Sequence, residues 1–382
     1  MEFDHRHYVP ILKAKRGELV GLSQLDPGIR QSLTPVFEIQ AVDRNWDKGI
    51  PRKTEAAHLA AVVESIEKYW GPSDAFFVDI DSADLAEKAG GDSRGRGPYE
   101  YIFDLLKAKG LNGVPAVPLG LSTSALRAVG QIVARDRRGL MLRVSASVLA
   151  SESSRASLSA FPSTFGIPAG QVDLLVDLGV VDAASHALVL AGLQSVWANI
   201  PSLAQWRTVT LASAAFPQSI SNLSRGPIEQ IERLDWKLWR ALAMSLAPNE
   251  RHPTFGDFGV APHKQPALDP RTSNPAYNIR YTVSEKWLVL RGRLQKPPRN
   301  KKPPTGPTNP QMCIALTNHP EFQGTGCCSG DKYIIDCASG TAKTGSLEVW
   351  RRIGTVHHLT FVVRQIASSY ASAGIALPRA AP

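Results

Sequence analysis

The sequence predicts an α/β fold: a (β/α)8 barrel of TIM type with a long basic insertion between strand 8 and helix 8. Three observations carry that expectation. Eight short apolar runs recur at intervals of roughly 25 to 45 residues, room for a strand, a helix and two loops per repeat. Amphipathic stretches separate the runs, and strict strand–helix alternation implies parallel strands, which at eight most often close into a barrel. After residue 260 the alternation stops and the composition turns basic. A doubly wound open sheet, which the same alternation also suits, is the runner-up.

The strand candidates are residues 8–15, 34–40, 75–81, 114–119, 140–145, 172–178, 208–213 and 254–260. Between them, 55–70 and 122–137 place apolar residues at three and four spacing, and 182–199 is similar but more apolar. Segment 227–246 opens on Pro227 with Glu229 and Glu232 close behind, favourable chemistry for a helix start. Residues 277–282 and 286–293 read as an antiparallel hairpin, and the Pro- and Lys-rich stretch 296–310 as a flexible loop. The last amphipathic segment, 357–370, sets Leu359, Val362, Val363 and Ile366 on one side and reads as helix 8, with Thr355 as its N-cap. The expected division is 1–261 for the barrel strands, 262–354 for a basic cap, and 355–382 for the final helix and tail.

Hydrophobic residues at 43% and charged residues at 20% are ordinary for a packed domain and argue against disorder. No apolar run reaches the roughly eighteen residues that a membrane helix needs, and the start, Met1 to His7, has no apolar stretch behind a basic head. The four cysteines all fall between Cys313 and Cys337, which makes no disulfide framework for a chain of this size. A cytoplasmic protein without membrane contact is expected. From His263 onward Lys and Arg number 16 against 6 Asp and Glu, leaving 27 against 28 in residues 1–262. The whole excess therefore sits in the last third. It suits an anionic partner, either nucleic acid or a phosphorylated small molecule, or equally a solvated surface.

Candidate chemistry lies at the strand ends, because charged groups inside a strand core are rare unless paired or functional. Lys13 and Lys15 would share a face of strand 1; Glu38 ends strand 2; Asp79 and Asp81 share a face of strand 3. Arg143 lies on strand 5, Asp177 on strand 6, Ser213 at the end of strand 7 and Asp257 on strand 8. Most fall in the second half of their strands, the catalytic end of such a barrel. Glu38, Asp79 and Asp81 offer hard oxygen ligands suited to Mg2+ or Mn2+. Lys13, Lys15 and Arg143 would then neutralise a phosphate, with Asp177 or Asp257 as general base. A desolvated Lys13 or Lys15 could instead form a Schiff base, and a closed network of buried ion pairs needs no function at all.

The insertion interleaves Arg280, Lys286, Arg291, Arg293, Lys332, Arg351 and Arg352 with Tyr277, Tyr281, Trp287, Tyr333 and Trp350, a mixture suited to stacking on bases and pairing with phosphates. His357 and His358 would lie at the positive end of helix 8, beside the mouth, where an anion is favoured. Cys327-Cys328 with Cys313 and Cys337 fits no zinc spacing, and buried free thiols are the better reading. No Walker, dinucleotide or G-x-S-x-G motif is present, so no nucleotide cofactor is expected.

Several segments resemble the beta protein family of bacteria and their phages. They are Tyr8-Val9-Pro10-Ile11-Leu12-Lys13-Ala14-Lys15-Arg16-Gly17-Glu18, Gly256-Asp257, Arg280-Tyr281, Trp287-Leu288-Val289-Leu290-Arg291-Gly292, Gly330-Asp331-Lys332-Tyr333-Ile334, and Trp350-Arg351 followed by Gly354-Thr355-Val356-His357-His358-Leu359-Thr360. The resemblance spans nearly the whole chain apart from the 296–310 loop. It implies a group often encoded near mobile or phage-defence genes, hence a protein partner from a defence system, and it assigns no catalytic role to any residue. The expectation is a phosphate-handling barrel enzyme, metal-assisted and cleaving a phosphoester in a nucleotide or nucleic acid. The alternative is a non-catalytic module that binds nucleic acid or a partner.

Overall fold

The computed structural model describes residues 3–80, 95–264, 269, 271–296 and 305–372. In chain order the elements are β1 (Tyr8–Lys13), α1 (Arg16–Leu22), α2 (Pro27–Gln31), β2 (Val36–Glu38), β3 (Arg44–Asn45), β4 (Ile50–Pro51), α3 (Glu55–Tyr69), β5 (Phe76–Asp79), α4 (Pro98–Ala108), β6 (Gly113–Val117), α5 (Thr123–Asp136) and β7 (Leu140–Ser145). There follow α6 (Glu152–Thr164), β8 (Val172–Val180), α7 (His186–Ala198), β9 (Thr208–Ala214), β10 (Ile228–Glu232), α8 (Leu234–Ser245), β11 (Thr254–Asp257), β12 (Ala276–Thr282), β13 (Lys286–Leu294), α9 (Asn309–Thr317), α10 (Ser329–Ala338) and α11 (Leu347–Ser372).

Strands β1, β2, β5, β6, β7, β8, β9 and β11 form a closed parallel barrel, with β1 pairing to both β2 and β11. Helices follow these strands along the chain, so the fold is the (β/α)8 barrel. Strand alternation divides the core in two. Val9, Ile11, Val36, Phe77, Val114, Met141 and Leu175 fill the barrel, whereas Tyr8, Leu12, Phe37, Phe76, Val78, Leu174, Leu211 and Phe255 face the helices. Near the amino-terminal ends of its strands the interior holds an ion pair, Arg207 to Asp173 at 2.5 Å, with Thr208 donating to the same carboxylate at 2.7 Å. Helices α3 and α5 begin where the hydroxyls of Thr54 and Ser122 accept from the N–H groups of Ala57 and Ala125.

The cap departs from the expected boundaries at both ends. Residues 227–246 are not one helix. Ile228–Glu232 forms β10, which crosses to the cap and completes a three-stranded antiparallel sheet in the order β10-β13-β12. Glu232 stands opposite Lys286 in register, and Ile228 opposite Leu290, so apolar contact and the ladder hydrogen bonds reward pairing over helix. The acidic residues that read as a helix start are cross-strand partners. Helix α8 begins at Leu234.

The final helix begins at Leu347 and runs unbroken to Ser372, through the 354/355 boundary that the sequence suggested. Thr355 is not an N-cap, because its hydroxyl donates back to the Arg351 carbonyl at 2.9 Å. Gly354 marks a crossing, not a terminus: a Cβ there would meet the Arg280 carbonyl oxygen at 3.1 Å. In the 296–310 stretch, residues 297–304 lie outside the described ones, while Thr308 caps α9 in a box with Gln311. The cap core of Tyr281, Leu288, Leu290, Met312, Cys313, Ile334, Cys337, Trp350 and Ile353 is thus closed by the first turns of α11, whose later residues Val356, Leu359, Val362 and Ile366 pack on the barrel.

Candidate functional site

Strands β1, β2 and β5 end on Lys13, Glu38 and Asp79, which all face the barrel axis by alternation with Ile11, Val36 and Phe77. Arg143 of β7 and Asp177 of β8 reach the same level. The guanidinium is the hub of the group. Its Nη1 lies 2.7 Å from Glu38 Oε1 and 2.6 Å from Asp79 Oδ2, and its Nη2 lies 2.6 Å from Asp177 Oδ2. Lys13 Nζ donates to Glu38 Oε2 and to the His263 carbonyl, the latter at 2.7 Å. Above these groups opens a cavity of about 870 Å3, lined also by Gln40, Ser145, Ser147, Gly179, His263 and Lys264. It sits at the carboxyl ends of the strands, where such barrels place their sites.

The electrostatics follow from burial and pairing. Burial alone would raise the Glu38 carboxyl, but Arg143 and Lys13 outweigh it and hold the group below its ordinary value. Burial pushes Asp177 up as well. The nearby His263, the Arg143 guanidinium and the Gly179 N–H together hold it well below the usual carboxylate range. Burial opposes the charge on Arg143, yet Asp79, Asp177 and Glu38 keep it firmly protonated. Phe258 supports the cluster from beside it, its ring 5.2 Å from Lys13 Nζ and 4.6 Å from the His263 ring.

Sequence reasoning misses His263. Its Nε2 lies 3.7 Å from Asp177 Oδ2 at the rim of the cavity, beside the exposed Lys264. The one signal it offers is its place six residues past Asp257, in the exit loop of the last strand, where barrels of this type gather anion-binding groups.

Several candidates lie elsewhere. β1 ends at Lys13, and the chain turns so that Lys15 stands exposed at the start of α1, off the shared face. Asp81 lies outside the described residues. Asp257 faces outward, because Gly256 takes the inward position: a Cβ there would meet Thr210 Cγ2 at 2.9 Å and Ala212 Cβ at 3.0 Å. Ser213, its neighbour in register, also faces outward, since Ala212 and Ala214 point in. Asp257 instead accepts hydrogen bonds from the Tyr8 hydroxyl at 2.5 Å and from His358 Nε2 at 2.9 Å, in the layer between barrel and helices. Burial lowers the His358 pKa, and its Nδ1 shares a hydrogen bond of 2.8 Å with the Thr282 hydroxyl. Both ring nitrogens of His358 thus engage protein groups, and the side chain is fully buried.

His357 is also mid-helix and fully buried. Its Nδ1 lies 2.9 Å from Asp331 Oδ2 in the cap, close to Cys327 and Cys328. Neither histidine sits at a helix amino terminus. Arg280 is spent on the Val260 carbonyl and on Asn278, stacked over Phe216, and Arg291 on the carbonyls of Ser221 and Leu223 at 2.5 and 2.8 Å. Of the aromatics interleaved with them, Tyr281 and Trp350 belong to the cap core, and Trp287 is buried where the cap meets the barrel. These five members of the basic and aromatic mixture are engaged in packing, whereas Arg293 and Lys332 are exposed.

Between Glu38 and Asp79, the two described members of the expected metal set, Arg143 Nη1 bridges the carboxylates at 2.7 and 2.6 Å. Among the described residues, the group close enough to share an ion is Cys327, Cys328, Asp331 and His357. No described helix is long and apolar enough to cross a membrane. A family model described as Beta protein matches residues 8–364. No curated protein matches the chain.

Proposed function

The chain belongs to the Beta protein family, and on that premise we propose that its barrel mouth binds and processes a small, phosphate-bearing ligand. The observation that carries this reading is the meeting of Lys13, Glu38, Asp79, Arg143 and Asp177, from five different strands, beneath a cavity of about 870 Å3. Such volume suits a nucleotide or sugar phosphate. Lys13 and Arg143 offset two of the three carboxylates and Lys264 at the rim balances the third, so an anion enters without net repulsion. His263, with Nε2 3.7 Å from the Asp177 carboxylate at the rim of the cavity, is placed to act with it as an acid–base couple. The step this couple suits is hydrolysis of a phosphoester, in which water attacks phosphorus, its proton passes to solvent, and His263 gives a proton to the leaving oxygen as its bond to phosphorus breaks. In this reading Arg143 takes the role that the sequence assigned to Mg2+ or Mn2+, and a place in phage defence would follow from the ligand.

Thermal shift with a panel of nucleoside mono- and diphosphates, sugar phosphates and inorganic phosphate tests the reading, together with turnover of bis-p-nitrophenyl phosphate. A phosphorylated compound is expected to raise the Tm of the wild type and to lose that effect in Lys264→Ala. Turnover should fall about 100-fold or more in His263→Ala. Equal ligand shifts in wild type and Lys264→Ala, or undiminished turnover in His263→Ala, would sink it.

A further inference from the structure

We infer that Cys327, Cys328, Asp331 and His357 form a closed binding site for a thiophilic divalent cation, zinc above all, which clasps the cap to α11. The site shares no residue with the barrel mouth and stands independently of the function proposed there.

The four side chains come from three places: the turn before α10, the first turn of α10, and the middle of α11. One ligand atom from each lies within 4.8 Å of all the others. Asp331 Oδ2 is 2.9 Å from Cys328 Sγ and 2.9 Å from His357 Nδ1, and Cys327 Sγ is 3.9 Å from that nitrogen. Four ligands at zinc bond lengths of about 2.0–2.3 Å stand roughly 3.3–3.8 Å apart, so the cluster needs only small adjustments.

The second observation is how the outer atoms are held. His357 Nε2 donates to the Thr282 carbonyl at 2.7 Å, which fixes the ring and turns Nδ1 inward. The Tyr281 hydroxyl donates to Asp331 Oδ1 at 2.6 Å, which turns Oδ2 inward. The same tyrosine ring stacks on the imidazole at 3.8 Å. An imidazole and a carboxylate each held from behind, with Nδ1 and Oδ2 brought together beside the two thiols, is the outer-ring pattern of metal sites. The adjacent cysteines both contribute because the chain bends between them. Cys327 closes a turn on Gly324, and Cys328 is extended at φ −161° before α10 begins.

Two sulfurs and an imidazole select zinc over magnesium or calcium. Four protein ligands leave no open position, which makes the site structural. Binding would release the two thiol protons and the Nδ1 proton to solvent. Cys313 and Cys337, buried in the cap core, take no part.

The full chain, expressed and purified without chelator, can be assayed for metal by mass spectrometry and for zinc affinity by competition with a chromophoric chelator. One zinc per chain is expected, together with a sulfur-to-metal charge-transfer band after exchange with Co2+. Asp331→Asn, close to isosteric, and Cys328→Ser should each weaken zinc at least about 10-fold, and Tyr281→Phe about 10–100-fold. Cys313→Ser should leave affinity unchanged. Chelator should lower the Tm of the wild type more than that of Asp331→Asn. A folded wild-type chain that takes up no zinc at roughly micromolar concentration or lacks the cobalt band, or a zinc affinity that neither Asp331→Asn nor Tyr281→Phe weakens, overturns the assignment.

Discussion

At the residue scale, Arg143 explains how three carboxylates can share one barrel mouth. A planar guanidinium serves several oxygens at fixed angles, which an ammonium cannot. The consequence appears in acid. Glu38 and Asp177 are both held below their ordinary values in the folded chain, so the unfolded chain takes up protons first as pH falls. Their contribution is complete well above the unfolded values of about 4 and is lost as pH drops through the folded-state values. Urea midpoints from about pH 6 to about pH 3 should therefore fall steeply for the wild type, and Asp177→Asn should flatten the slope. An unchanged slope would mean that Asp177 is not tied to Arg143 in solution. The cluster was legible because charges at strand ends are conspicuous. His263 was not, since nothing local in a loop shows which distant carboxylate it will meet.

At the element scale, α11 shows how local signals mislead. Gly354 followed by a threonine and an amphipathic run looks like a helix start, but the glycine is required by close approach to β12. Gly354→Val would press its side chain on the Arg280 carbonyl and on Val260 and should cost about 1–3 kcal/mol. Gly192 of α7, where an added Cβ would meet nothing within 4 Å, should respond oppositely, Gly192→Ala stabilising by about 0.5–1 kcal/mol. Chemical denaturation of the two variants checks both signs, and equal effects would refute the crossing. The strand β10 teaches a related lesson, because its acidic residues suit a helix until β13 offers them a partner.

At the scale of the whole molecule, cap and barrel share one helix and a cluster of Phe216, Val260, Trp287 and Val289 between them. They should therefore unfold together. Fluorescence, reporting Trp287 and Trp350 of the cap with Trp236 and Trp239 of the barrel, should give the same midpoint as far-ultraviolet circular dichroism. Two resolved transitions would show that α11 does not couple the units.

The sequence by itself determined the barrel, the inward face of most of its strands and the basic bias of the cap, because strand alternation and the order of elements are written in neighbouring residues. Only the tertiary structure decided what each charge is for. Tyr8, Asp257 and His358 meet across the length of the chain, as do Cys328, Asp331 and His357 in the cap. A buried polar group takes its role from the partner that compensates it, and in this chain those partners are chosen by packing.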